Sequence, residues 1–544
     1  MDTTLALTGA LPFIILLAAA TSAPLCALLL WLYRRSVLRG MHQRSGQGER
    51  SAISARAAAA LPALNVVRVA ATSHSHDNAA WRHARRALWL AAAAYAVAAV
   101  VYAVVMTAAY LMSSGIPFLL SRFAVLGLCF LWPGVLAVML VAAYARRQRV
   151  LLLTAYFAVF TALWLLAPHE AGQGTLVAAA QLWLIFNAAP TTLLLAFLWR
   201  RIRAVGPLVL SFMVVALTGS QLLITLASAD EALLRHVTGV FFRLGLGGTG
   251  TFVALLLLGL LLAAAAGWPL LRWLGRRYQA RRLSEMSLTL DALFVLFAVV
   301  QSIPLAFSGA AWVASGALAF GAARATLMLL WRHASILPSP PPRLLLLRVF
   351  ALGARSQRLF DRLRRHWQPL GPMALIAGPD LVTATVEPHE FLDFVSGRLS
   401  RQFVSDRADL ERRVAAFDGP TAPDGRHRIN ELFCRADTWQ MAMQRLASMS
   451  DAVLMDLRSF SADNQGCRFE IARLLDAVDL RHVLLLVDRS TDEPYLQATL
   501  QQLWQQLAAD SPNRRDGVTL RLMPVDDPDE AALVALLGQL LVQR

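Results

Sequence analysis

The chain contains repeated apolar runs of about 20 residues, and this feature constrains its fold more than any other. A helix needs about 20 apolar residues to cross the hydrocarbon core of a bilayer. We therefore predict a polytopic all-α membrane domain in residues 1–338. Its nine predicted spans are 9–33, 87–112, 123–145, 150–167, 176–199, 207–228, 250–273, 286–307 and 311–331.

Arginine clusters alternate with these runs. Every second loop is basic, whereas the loops between them are nearly uncharged, as in SGIP at 114–117 and PHEAGQG at 168–174. Loops on the cytoplasmic side of a membrane carry the excess of basic residues. The alternation predicts a protein of the bacterial inner (cytoplasmic) membrane with its N-terminus outside, a long cytoplasmic loop at 34–86 and a cytoplasmic C-terminal domain.

The two halves of the chain differ in charge. Residues 1–338 contain 26 Arg and 8 acidic residues, and residues 339–544 contain 25 Arg and 27 acidic residues. The basic character therefore belongs to the membrane half, where the partner is the lipid bilayer, and it does not indicate a nucleic-acid partner. The four cysteines form no CxxC pair, and we predict no metal site.

Two ionisable residues lie inside predicted spans. Asp291 is about five residues from the cytoplasmic end of the eighth span, and Arg324 is about seven residues from the same end of the ninth. At a rise of 1.5 Å per residue these depths agree within a few ångström, which predicts an intramembrane ion pair. Snorkelling of Arg324 to the interface and a role in transport are the alternatives.

A Pro-rich linker at 339–342 precedes a domain of different pattern at 343–544. Short apolar runs alternate there with amphipathic helices, which predicts a doubly wound parallel sheet of five strands, as in flavodoxin-like folds. The predicted strands are 344–350, 373–377, 452–457, 483–487 and 518–523, and the predicted helices are 356–367, 389–399, 437–449, 464–478, 493–508 and 527–542. Residues near 412–433 interrupt this rhythm, and two Asp-Gly turns predict an inserted hairpin.

The ligand crevice of such a sheet lies beyond the carboxyl ends of its strands. The most informative segment there is 451–474 (DAVLMDLRSFSADNQGCRFEIARL), in which an apolar strand ends in a polar loop and a helix carrying Glu470 follows. The predicted ligand-binding residues at this edge are Phe350, Asp456, Arg458, Ser459, Ser461 and Asn464.

The order of elements and the segment 451–474 resemble Toll/interleukin-1-receptor (TIR) domains and the related nucleoside deoxyribosyltransferase-like folds. The resemblance covers about 200 of the 544 residues. It aligns Glu470 with the catalytic carboxylate of the NAD-cleaving members, and Ser459 or Ser461 with their loop serine. It implies NAD or a related nucleotide as substrate or ligand, and homo-oligomers formed through the domain.

The first strand of the domain ends in Arg348-Val349-Phe350. This motif is similar to the opening strand of a set of bacterial multi-span membrane proteins with a TIR-like tail. Non-catalytic ligand contact is one alternative for Glu470, and another is pairing with Arg468 or Arg473, or solvation.

Three classes of function stay open. The first is a membrane-anchored TIR-like signalling or effector protein that hydrolyses NAD or binds a nucleotide at the crevice. The second is a non-enzymatic membrane sensor that binds a ligand or another protein. The third is a transporter or channel with a regulatory cytoplasmic domain, although spans composed mainly of Leu, Ala and Val favour an anchor.

Overall fold

The computed structural model describes most of the chain. The residues outside the description are 1–2, 45–62, 70–78, 143–145, 169–173, 198–230 apart from five isolated positions, 280–283, 335–340, 350–353, 379–385, 387, 418–420, 526–535, 539 and 541–544. The chain divides into two compact units. The helical unit comprises Met1–Trp31, Leu88–Ser335 and Glu387–Leu392, and the α/β unit comprises Leu32–Ala87, Ile336–Val386 and Asp393–Arg544.

Long apolar helices dominate the first 334 residues. Their bounds are α1 Thr3–His42, α2 Ala79–Ser114, α3 Leu120–Val141, α4 Arg146–Leu166, α5 Leu176–Phe197, α6 Glu231–Arg243, α7 Gly248–Gln279, α8 Glu285–Ser302 and α9 Ala314–Ala334. Among the described residues, six helices are long and apolar enough to cross a membrane, namely α2, α3, α4, α5, α7 and α9. The protein therefore has the helices of a membrane-inserted chain.

The predicted number of nine spans is not confirmed. The span 207–228 lies outside the described residues, apart from isolated positions. The span 9–33 lies within α1, and the side chains of residues 3–19 and 23 are also outside the description. The span 286–307 is an α-helix only to Ser302, and Ile303–Ser308 form a 3₁₀-helix. Pro304 explains this end, because proline lacks the N–H that a continuing α-helix requires.

Small residues allow the helices of the helical unit to pack closely. A Cβ atom added to Gly134 of α3 would lie 2.2 Å from the Cβ atom of Ala99 in α2. A Cβ atom at Gly316 of α9 would lie 2.4 Å from the carbonyl oxygen of Ala298 in α8. Only glycine fits at these two positions, as is common where helices meet in membranes.

The α/β unit contains one parallel sheet of seven strands. The strands are β1 Asn65–Arg68, β2 Leu344–Arg348, β3 Met373–Ile376, β4 Ile429–Leu432, β5 Ala452–Asp456, β6 Val483–Val487 and β7 Thr519–Pro524. Their order is β1-β7-β6-β5-β2-β3-β4, and every pairing is parallel. The α-helices that the structure describes after β2 are α10 Ala354–Trp367, α11 Pro388–Val395, α12 Arg407–Ala415, α13 Trp439–Met449, α14 Gln465–Ala477 and α15 Glu493–Trp504. Most of the predicted helix 527–542 lies outside the described residues.

Both faces of the sheet are buried, which explains the unbroken apolar run in β2. Leu345 and Leu347 pack with residues of α13, α14 and α15 on one face. Leu344 and Leu346 pack with residues of α10 on the other face. Successive side chains of a strand point to opposite faces, so a strand covered on both sides must be apolar throughout.

The sheet has seven strands, so the prediction of five is wrong. The two strands that were not predicted, β1 and β4, are the edge strands of the sheet. β1 comes from the loop 34–86 and pairs with β7, with Asn65 opposite Thr519. The backbone N–H of Val69 extends this ladder by donating to the carbonyl oxygen of Leu522 at 2.8 Å. An edge strand is covered incompletely, so neither β1 nor β4 carries the continuous apolar run of a central strand.

The segment near 412–433 continues the sheet in place of the predicted hairpin. Residues 429–432 form β4, which runs parallel to β3. Gly425 lies in a turn with φ +73°, and its N–H donates to the carbonyl oxygen of Ala422 at 2.9 Å. The Asp-Gly turn at 424–425 therefore leads into a parallel edge strand, and the one at 418–419 lies outside the described residues.

The end of α1 also packs within the α/β unit. The ring of Tyr33 meets the ring of Phe394 edge to face at 5.6 Å between centroids. Gly40 lies against Phe403, where an added Cβ atom would be 2.5 Å from the ring. Residues 32–43 are thus a structural part of the α/β unit.

Candidate functional site

The order of the strands reverses between β2 and β5. β3 and β4 follow β2 on one side, and β6 and β7 follow β5 on the other. Ligands of open parallel sheets bind outside the carboxyl ends of the strands at such a switch point. The last residues of the two strands, Arg348 and Asp456, lie in register there, and both are buried.

Asp456 and Arg458 neutralise each other. The Nε and Nη2 atoms of Arg458 donate to the two carboxylate oxygens of Asp456 at 2.8 and 2.7 Å. The side chains are 1% and 2% exposed. Such a bidentate pair fixes the turn after β5, because breaking it would leave a buried charge without compensation. Both were predicted to bind a ligand, and the structure engages their charged groups with each other.

Glu470 is buried at the same edge of the sheet. It lies in the second turn of α14, and only 4% of it is exposed. Its Oε2 atom has no hydrogen-bond partner among the described residues. A buried polar atom without a partner is costly, so it points to a ligand or to a strained functional group.

The protonation of Glu470 follows from this environment. Burial raises the pKa of Glu470 to about 8, although the positive charge of Arg348 acts in the opposite direction. The carboxyl group is therefore mainly neutral at pH 7. Burial, Glu470 and Asp456 together raise the pKa of the neighbouring Cys467 thiol well above its usual range.

The alternatives for Glu470 were an ion pair with Arg468 or Arg473, or exposure to solvent. Arg468 donates to Gln502 at 3.0 Å. Arg473 lies 3.7 Å from Asp476 and faces the ring of Phe469. With 4% exposure, Glu470 is not a solvated surface group.

The loop between β5 and α14 is held by its own side chains. Asn464 accepts hydrogen bonds through Oδ1 from the backbone N–H and the hydroxyl of Ser461, at 2.8 and 3.3 Å. Ser459 has a φ of 61°, which is uncommon for a residue other than glycine. Its hydroxyl lies 2.7 Å from the hydroxyl of Ser490. Phe350, the remaining predicted ligand residue, lies outside the described residues.

A second polar group, not predicted from the sequence, lies at this edge. Arg355 of α10 forms an ion pair with Asp488, which directly follows β6. Asp488 also accepts hydrogen bonds from the N–H and hydroxyl of Ser490, at 3.0 and 2.5 Å. Burial raises the pKa of Asp488, but the bonds from Ser490 and Arg355 outweigh it and lower the pKa. An Asp at the carboxyl end of the predicted strand 483–487 was the available signal.

In the helical unit, the structure brings Asp291 and Arg324 together. The Nη1 atom of Arg324 in α9 lies 3.3 Å from the Oδ1 atom of Asp291 in α8. The side chain of Arg324 is 19% exposed and that of Asp291 is 20% exposed.

A chain of uncharged polar residues crosses the core of the helical unit. Tyr102 donates to Gln301 at 2.8 Å, Gln301 donates to Asn187 at 3.1 Å, and Asn187 donates to the carbonyl oxygen of Cys129 at 3.2 Å. The three side chains are fully buried and join α2, α8, α5 and α3. None of them was predicted, because an uncharged polar residue within an apolar span is not by itself a signal of a functional site. Mutually bonded polar groups of this kind hold membrane helices together.

Comparison with known proteins identifies no family. No protein-family model matches the chain, and no curated protein is significantly similar to it.

Proposed function

We propose that the protein is a membrane-anchored signalling or effector protein whose α/β unit binds a nucleotide at the switch point between β2 and β5. NAD is the first candidate ligand, as the resemblance to TIR domains implies. The observation that supports this proposal is the buried Glu470 carboxyl, whose Oε2 atom lacks a partner among the described residues.

A nucleotide supplies the groups that this edge of the sheet lacks. The hydroxyls of a ribose can donate to Glu470, as they do to the acidic residue of dinucleotide-binding sheets. α10 begins shortly after β2, so its N-terminal backbone N–H groups provide a location for phosphate oxygens. The crevice would therefore hold the ribose at Glu470 and the phosphates towards α10.

Hydrolysis of NAD is the catalytic form of this proposal. A carboxylate can stabilise or attack the oxocarbenium-like centre that forms when the N-glycosidic bond breaks. Glu470 is mainly neutral in the structure, but the nicotinamide ring of NAD is positively charged. A cation beside the carboxyl group favours its ionised form, so the substrate itself would promote the reactive state. Without turnover, the same contacts describe a non-enzymatic sensor.

We further propose that the protein resides in the bacterial inner membrane with the α/β unit in the cytoplasm. The arginine-rich loops support this orientation. Homo-oligomers formed through the α/β unit are part of the proposal and rest on the resemblance to TIR domains.

The test uses the full-length protein in liposomes, which also concentrates it in two dimensions. NAD binding is measured by calorimetry, and NAD loss and nicotinamide release are measured by chromatography. Glu470→Met keeps the volume of the side chain and removes both oxygens, and Glu470→Gln removes only its ability to ionise. Glu411→Gln is the matched control, because Glu411 is an exposed glutamate of α12 paired with Arg445.

We expect Glu470→Met to weaken NAD binding about tenfold or more, as for the loss of one hydrogen bond to a charged or buried group. Turnover that disappears in Glu470→Gln and persists in Glu411→Gln would establish the enzyme. Binding without turnover would establish the sensor. If the folded wild-type protein neither binds nor cleaves NAD, the proposal of an NAD site is wrong.

A further inference from the structure

A pocket separate from the crevice lies where the end of α1 packs within the α/β unit. Its volume is about 360 Å³. Its walls are formed by Ser36, Arg39 and Gly40 of α1, by Gln43 just after this helix, by residues between 394 and 403, and by Arg435. All of these residues belong to the α/β unit.

The side chains of this pocket favour an anion. Arg39 and Arg435 contribute two positive charges, Ser36 and Ser400 contribute hydroxyl groups, and no lining residue is acidic. A concave surface with charges of one sign concentrates ions of the opposite sign.

The acidic residue next to the pocket is already neutralised. Asp393 directly precedes the lining residue Phe394. It lies 3.4 Å from the guanidinium group of Arg398 and accepts a hydrogen bond from Gln402 at 2.6 Å. Its charge therefore does little to offset the positive charge of the pocket.

The two arginines are held differently. The guanidinium group of Arg435 lies 5.7 Å from the centre of the Phe403 ring and donates to Gln43 at 3.3 Å. Arg39 is exposed and makes no hydrogen bond or ion pair with any residue in the part of the chain that the structure describes. One guanidinium group is thus fixed in advance, and the other is available to an incoming ligand.

The position of the pocket along α1 indicates its depth relative to a bilayer. The first predicted span ends at residue 33, and α1 continues to His42. At 1.5 Å per residue, the pocket-lining part of α1 begins about 5 Å beyond the predicted span and ends about 10 Å beyond it. The polar headgroup region occupies roughly the first 5–8 Å outside the hydrocarbon core. If the span ends at residue 33 as predicted, Ser36 lies at the depth of the lipid headgroups and Arg39 lies about 9 Å beyond the hydrocarbon core.

We infer that this pocket binds a phosphate group between Arg39 and Arg435. Guanidinium groups bind phosphate oxygens through paired, charge-assisted hydrogen bonds. The hydroxyls of Ser36 and Ser400 supply further donors at the same place. The phosphate belongs either to the headgroup of an anionic phospholipid or to a soluble phosphate compound, and this site is independent of the crevice at Glu470.

The experiment uses full-length protein in a neutral detergent and native mass spectrometry. Phosphatidylglycerol is the anionic lipid probe, phosphatidylcholine is the neutral lipid probe, and inorganic phosphate is the soluble probe. Arg39→Gln removes the available charge from an exposed position. Arg34→Gln is the matched control, because Arg34 is exposed on the same helix and lies outside the pocket. Ser400→Ala is a second pocket variant that leaves both arginines in place.

We expect Arg39→Gln to weaken binding about tenfold or more and Arg34→Gln to change it less than twofold. Preferential binding of phosphatidylglycerol that inorganic phosphate does not displace would identify the lipid source. Binding of inorganic phosphate that displaces the lipid would identify the soluble source. The inference is overturned if the wild-type protein binds neither probe, or if Arg39→Gln and Arg34→Gln weaken binding equally.

Discussion

Glu470→Gln should stabilise the α/β unit at alkaline pH and leave its stability unchanged at acid pH. Burial raises the pKa of Glu470 from its ordinary 4.5 to about 8. Each tenfold change in acid dissociation corresponds to about 1.4 kcal/mol. The full difference is therefore about 4–5 kcal/mol in the free energy of unfolding.

The direction of the pH dependence follows from which state binds the proton. Below pH 4.5 both the folded and the unfolded chain hold the proton on Glu470, so the raised pKa does not change the free energy of unfolding there. Between pH 4.5 and about 8 the unfolded chain has released the proton and the folded chain still holds it. The stability of the wild-type unit therefore falls through this interval and levels off above it. The amide that replaces the carboxyl group in Glu470→Gln does not titrate, so the variant lacks this decline.

Alkylation of the Cys467 thiol provides the assay. Cys467 is 5% exposed in α14, next to Glu470, so it reacts only when this region opens. Labelling in increasing urea, resolved by peptide mass spectrometry, gives the free energy of opening for the full-length protein. Comparing wild type with Glu470→Gln at each pH cancels the ionisation of the thiol itself.

We expect no difference at pH 4.5 and an advantage of about 3 kcal/mol for Glu470→Gln at pH 7, growing further at pH 8. The control Glu411→Gln changes an exposed ion pair and should show an effect below about 1 kcal/mol at every pH. Equal stability of wild type and Glu470→Gln at pH 8, or an advantage that persists unchanged at pH 4.5, would refute the assignment of a buried, neutral carboxyl group.

Two further predictions concern the frame around the site. Arg458→Ala should lower the free energy of unfolding by about 3–5 kcal/mol, because Asp456 would remain as a buried charge. Urea unfolding measures this loss, and a loss below about 1 kcal/mol would show that the pair is solvated. Val69→Pro removes the N–H that donates to Leu522, so hydrogen exchange at residues 64–68 should accelerate while that of β6 stays slow. Unchanged exchange at 64–68 would contradict the pairing of β1 with β7.

The central strands of the sheet could be predicted because each is covered on both faces. The predicted runs 344–350 and 483–487 correspond to β2 and β6, whose described residues are buried throughout. β1 could not be predicted in the same way. It has four residues, it is mostly exposed, and its partner β7 lies more than 400 residues later in the chain. Local periodicity contains no information about such a pairing.

The candidate site shows the same division between position and interaction. The sequence places Asp456, Arg458 and Glu470 at one edge of the sheet, and the structure has them there. The sequence alone does not predict that Arg458 turns back onto Asp456, or that Glu470 remains buried and neutral, because both depend on side-chain packing. Arg355 and Asp488 come from two elements separated by 133 residues, and only the folded sheet brings them together.

The pairing of β1 with β7 restricts how the chain can thread a membrane. A ladder of backbone hydrogen bonds cannot pass through a bilayer, so residues 65–68 and 519–522 must lie on the same side of it. The chain between them therefore crosses the membrane an even number of times. The eight predicted spans that follow the first loop satisfy this parity, and six of the helices described between the two strands are long and apolar enough to cross a membrane. The number of membrane crossings between β1 and β7 must therefore remain even in any revised topology.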